Sequence, residues 1–204
     1  MLNKTKQLRL AGFALRALLV IGTTMPGALA QGARRDRGLV ARAEAASGDR
    51  FNYTATTPRG ARVVSVSKPR ADALRAIDNG LTELFAVARR QGYRARLSYG
   101  DYTIFIARPD RTRNGEGAYS PDIAIAPAQY AGSVYDQGGY VYAAGMVLSF
   151  QPCAFVVAEH ERDLGRLADV VRYEGEHLVL YHNDRARFNQ TMDHSRGGSH
   201  PILQ

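Results

Sequence analysis

The 204-residue chain has a single cysteine, Cys153, so no intrachain disulfide can hold it together. Stability outside a reducing compartment would have to come from packing or from a bound ion. It lacks a Gly-x-Ser-x-Gly elbow and a glycine-rich phosphate loop, which leaves serine esterase and nucleotide chemistry without support. No internal repeat or low-complexity tract is present. After the first thirty residues no apolar run is long enough to span a bilayer, which takes about twenty residues. A concentrated basic stripe is missing too, and nucleic acid is therefore not an expected partner.

What the chain does have begins at its amino end. Lys4, Lys6 and Arg9 give a positive start, and Ala11 to Ile21 is apolar apart from Arg16. Ala28-Leu29-Ala30 then supplies the small-x-small pattern accepted by signal peptidase. The expectation is a signal peptide over 1–30, cleaved near Ala30, and a secreted or periplasmic protein. Of the 27 basic residues, four (Lys4, Lys6, Arg9, Arg16) fall in this segment and none of the 19 acidic ones does, so half of the +8 formal charge leaves with it. Residues 31–50 are charged, small and weakly patterned, as expected of a flexible lead-in. The globular domain is expected over 51–204, a length sufficient for one core.

Within that domain Ala61–Ser67 is β-prone, with Ser67 placed to cap a helix that has Pro69 in its first turn. Leu74, Ile77, Leu81, Leu84, Phe85 and Ala88 recur at helical spacing until Gly92. Runs at Ala95–Tyr99 and Tyr102–Ala107, joined by Gly100-Asp101, predict a pair of strands. Asp122–Ala126, Tyr140–Phe150 and Ala154–Ala158 predict further strands, the last two split by Gln151-Pro152. A second long helix is expected from about Arg162 to beyond Asp184. The predicted order of strand, helix, several strands, helix is an α+β layout, a mixed sheet backed by two long helices.

The second helix carries the chemistry. Leu167, Val171, Glu174, Leu178 and Tyr181 share one face, four of them suited to a core. Glu174 is the exception, because a lone buried carboxylate is costly without a partner. Tyr173 and His177 lie one turn apart beside it, with Tyr181 and Asp184 continuing their row. Either a metal ion or an internal hydrogen-bond network would compensate such a group. Four of the five histidines (His177, His182, His194, His200) fall in the last 28 residues, and the fifth, His160, ends a strand. The polar segment around His194 and His200 could fold back over the helix and supply ligands or an acid.

Tyr173-Glu174-Gly175-Glu176-His177 resembles the His-Glu-x-x-His helix of the zincin metallopeptidases, with Tyr173 in the first histidine position. The coarse order of backing helix, sheet ending near an edge strand, and motif helix is similar too. The resemblance implies zinc, His177 as a ligand, and Glu174 as the base that activates a metal-bound water. Together with the export signal, it implies an exported metal-dependent hydrolase that is peptidase-like in substrate. Tyrosine binds metal only as phenolate, which makes Tyr173 a poorer ligand than imidazole. The places of the elongated motif's glycine and third histidine hold Leu180 and Asn183. Asp184, His182, His194 and His200 are the remaining candidate ligands. A diverged enzyme, a non-catalytic protein binding a polypeptide or cell-envelope component on the same fold, and a structural envelope protein all stay open.

Other patterns have simpler uses. Tyr130, Tyr135, Tyr140 and Tyr142, set among glycines, suit a turn into a sheet, or a groove where an extended peptide pairs with a strand. Ser65-x-x-Lys68 matches a short pattern of penicillin-recognising enzymes, and Cys153 in an apolar strand suits a buried small hydrophobe.

Overall fold

A computed structural model of the protein describes residues 26–109, 123–125, 141–160, 162–192 and 200–204. The core is a mixed five-stranded sheet built from β1 (Tyr53–Thr56), β2 (Arg62–Ser65), β3 (Tyr102–Ala107), β6 (Gly145–Phe150) and β7 (Cys153–Ala158), in the order β1-β2-β3-β7-β6. The central strands β2, β3 and β7 run parallel, while β1 and β6 close the two edges antiparallel. Parallel neighbours need a crossover, and α2 (Ala71–Arg90) supplies the one between β2 and β3. A separate two-stranded ladder pairs β4 (Ile123–Ile125) with β5 (Val141–Ala143), and β5 leads through Ala144 into β6. The chain finishes with α3 (Leu164–Asn183) and α4 (Arg185–Thr191).

The expected α+β class, a mixed sheet backed by helices, is what forms. β3 (YTIFIA) and β7 (CAFVVA) are apolar throughout because both of their faces are covered. Val63, Ile104, Ile106, Phe155 and Val157 point into the main core beneath α2 and α3. Their alternates Val64, Phe105, Ala154, Val156 and Ala158 point the other way, against α1.

That helix, α1 (Pro26–Ser47), corrects the expectation of a flexible lead-in over 31–50. Leu39 and Ala43, one turn apart, are buried on the second face of the sheet, and Asp36 pairs with Arg62 on β2. Leu39, Ala43 and the partly buried Val40 are too few apolar contacts in this charged segment to show as a periodicity. Ala95–Tyr99, expected as a strand, is irregular and ends in a 3-10 turn at Tyr99–Asp101. Arg96 there adopts a left-handed φ of 60° while its carbonyl accepts the Tyr102 hydroxyl. Ser67 does not cap α2, whose N-cap is Arg70; the Ser67 hydroxyl instead meets the Glu159 carboxylate at the end of β7. The Tyr140–Phe150 run breaks at Ala144 into β5 and β6.

Helices α2 and α3 pack closely because two glycines let them. A methyl on Gly80 would stand 2.3 Å from the Ala168 carbonyl oxygen, and one on Gly175 would stand 2.4 Å from Leu84 Cδ2. Gly175, the central residue of the Tyr-Glu-Gly-Glu-His run, thus sets how near the motif comes to α2. No helix among the described residues is long and apolar enough to cross a membrane.

Candidate functional site

Helix α3 is capped at its start by Asp163, whose side chain accepts from the Arg166 N–H, and it runs across the β6–β7 side of the sheet beside α2. Its middle is enclosed on nearly every side, since Gly175 through Leu180 are all buried. Glu176 has no exposure and His177 has 7%.

Glu174 lies where α3 overhangs the edge of the sheet. A Cβ on Gly145, the first residue of β6, would fall 2.8 Å from Glu174 Cγ and 3.0 Å from its Oε1. Only glycine leaves that carboxyl its place. Burial alone pushes the group up from an ordinary 4.5 to about 8, with no hydrogen bond or charge among the described residues offsetting it. The residue as a whole is half-buried.

One turn along, His177 Nε2 stands 3.2 Å from His200 Nε2. His200 Nδ1 in turn lies 3.2 Å from Glu176 Oε2. Tyr173 stacks on the His200 ring, with centroids 5.0 Å apart and planes 16° from parallel. The run from carboxylate to imidazole to imidazole therefore joins α3 to the carboxyl-terminal segment. Glu176 was not a candidate in the sequence: its neighbour Glu174 occupied the motif position, and nothing local showed that residues 200–204 fold onto α3.

The other expected ligands are elsewhere. Asp184 caps α4 by accepting the Arg187 N–H at 3.0 Å, and that bond chiefly holds its carboxyl below the usual carboxylate range. It also accepts from the Tyr93 hydroxyl at 3.1 Å. His182 sits beneath β6, its Nε2 2.8 Å from the Phe150 carbonyl and 3.7 Å from Cys153 Sγ. A nitrogen that donates to a carbonyl cannot also deprotonate a thiol, and burial pushes Cys153 up to about 11. The pair is thus structural, and Cys153 is the buried hydrophobe expected of it. His160 is buried beside Ser67 and Glu159 in a cleft at the carboxyl ends of β2, β3 and β7. His194, Tyr130, Tyr135 and Tyr140 lie outside the described residues.

Among the described residues, no three or more histidine, cysteine or acidic side chains converge on a point that could hold a metal ion. Two imidazole nitrogens do lie close together. Ligand nitrogens about 2.05 Å from a tetrahedral zinc lie about 3.3 Å from each other, close to the 3.2 Å between the His177 and His200 nitrogens. A carboxylate on the far nitrogen of one imidazole is the usual backing for a ligating histidine. That spacing is compatible with two positions of a zinc centre, and it is also the length of a hydrogen bond between the two rings; a catalytic zinc ordinarily takes three protein ligands, and the described residues supply no third. Burial raises the Tyr173 phenol above its ordinary value, which disfavours the phenolate it would need to join them.

No known family, curated protein or solved structure matches the chain.

Proposed function

We propose that the chain is an exported, metal-dependent hydrolase of the zincin kind, acting on polypeptide, with Glu174 as its acid–base group. The observation that carries this reading is the Glu174 carboxyl itself, unpaired among the described residues and held against a glycine at the start of edge strand β6. A carboxyl whose proton is exchanged near neutral pH beside β6, the edge strand among the described residues, suits both water activation and protonation of a leaving amine. An extended peptide could pair along β6 and bring its backbone past that group. His177 and His200 would hold the ion, which when bound lowers the pKa of a water and polarises a carbonyl. The arrangement of edge strand, backing helix α2 and motif helix α3 supports the same reading.

Export would cleave near Ala30, inside the first turns of α1, and leave Leu39 and Ala43 to dock the remainder of that helix. The test is metal-dependent cleavage of an unstructured protein substrate such as reduced casein. The purified protein should cleave it, lose the activity in a strong chelator, and regain it on adding Zn2+. Cleavage indifferent to chelator would remove the metal from this reading, and no cleavage with zinc bound would remove the hydrolase.

One observation favours a second reading. Tyr173 is stacked on His200 and stays protonated, so the first ligand position of the motif holds no ready donor. On that reading the same surface binds a polypeptide or cell-envelope component without turning it over. Saturable zinc-independent peptide binding without cleavage would support it.

A further inference from the structure

Glu176 is the most enclosed charged group of α3, and the last five residues of the chain close over it. Its Oε2 accepts from the Ile202 N–H at 2.7 Å, and its Oε1 accepts from the Leu203 N–H at 3.3 Å. Arg172, one turn earlier, stands 3.6 Å away; it also pairs with Glu83 and donates to the Leu203 carbonyl at 2.9 Å. Arg187 donates to the Ile202 carbonyl at 2.6 Å, Gln91 to the Gln204 carbonyl at 2.8 Å, and Leu203 is fully buried. These contacts already anchor the segment and satisfy a carboxylate that would otherwise be costly to bury.

The bond to His200 does something more. A carboxylate can only accept, so His200 Nδ1 carries the proton between them. In the neutral ring that puts the lone pair on Nε2, the nitrogen that meets His177 Nε2 at 3.2 Å. Stacking on Tyr173 fixes the plane of the same ring. Tautomer, direction and plane are all set on the side toward His177.

We infer that Glu176 is a positioning residue, which holds His200 by Nδ1 so that its Nε2 joins His177 in binding a zinc-class divalent ion. The carboxyl-terminal five residues then belong to the metal site and not merely to the packing of α3. This rests on the reading of His177 and His200 as metal donors given above. It adds a residue, and a part of the chain, that the motif alone does not implicate.

The experiment is a Zn2+ titration of the purified protein against a chromophoric chelator, with Co2+ absorption as a second signature. Wild type should bind one ion per chain, and His177→Ala and His200→Ala should each weaken binding at least tenfold. Glu176→Gln, with its circular dichroism unchanged, should weaken Zn2+ binding about 10–100-fold and alter the Co2+ bands. In the His200→Ala background the same change should cost nothing further. If Glu176→Gln fails to fold, Glu176→Asp is the second variant: it keeps the charge but retreats from His200, and at least a tenfold loss is expected. Wild-type affinity in a folded Glu176 variant overturns the positioning role while leaving the donor pair intact. Absence of saturable Zn2+ binding in wild type, or indifference to both histidine substitutions, overturns the donor pair and the positioning role together.

Discussion

Replacing Glu174 with glutamine should change how the fold responds to pH, and the structure fixes the direction. In the folded chain the carboxyl holds its proton up to about pH 8, whereas unfolded it lets go near 4.5. Between those values the native state binds more protons than the unfolded one, so stability falls as pH rises. The stabilising contribution is complete below about 4.5, fades through the interval and is gone above about 8. At about 1.4 kcal/mol for each pH unit between the two values, the ceiling is about 5 kcal/mol. The residue as a whole is half-buried and screening lowers that ceiling, so about 2–3 kcal/mol is the expected change. Glutamine carries no proton to lose and should flatten this part of the profile. Urea unfolding of both proteins at pH 5, 7 and 9, with chelator present, reads the effect directly. The two should be nearly equal at pH 5, with the variant more stable by about 2–3 kcal/mol at pH 9. Parallel profiles would refute the claim that this carboxyl is buried without compensation.

The other predictions concern the frame. Gly80→Ala places a methyl against the rigid Ala168 carbonyl and should cost about 3 kcal/mol by forcing α2 and α3 apart, read as a lowered urea midpoint. Leu39→Ala should cost about 2–4 kcal/mol if α1 is part of the domain, and almost nothing if residues 31–50 are a loose leader. Cys153, buried and raised to about 11, should resist iodoacetamide at pH 8 in the folded chain and react once urea unfolds it.

The parts of the fold visible in the sequence are those whose burial pattern is regular along the whole element. Helix α2 presents one apolar stripe to one core, so Leu74 through Ala88 announce it. The runs of β3 and β7 are apolar on both sides because both sides are covered. Helix α1 was hidden because it docks through little more than Leu39 and Ala43. Helix α3 is legible in its apolar periodicity, but the surroundings of its polar residues are not. The sheet, α2 and the carboxyl-terminal segment surround it, so Glu176 and His177 are more enclosed than Glu174. The partners of Glu176 lie 24 to 27 residues away, a separation at which helical periodicity carries no signal. His200 beside His177 belonged to the anticipated set, whereas Asp184 and His182 found structural work at the α4 cap and under β6.

The central claim is that Glu174 does chemistry at the edge of β6, and it is tested most directly by comparing wild type with Glu174→Gln, both loaded with Zn2+, on an unstructured polypeptide followed by mass spectrometry. The account predicts equal zinc content in the two proteins, defined cleavage products from wild type, and a rate at least 100-fold lower in the variant. Equal cleavage by both proteins, or none by either with the ion in place, would contradict it.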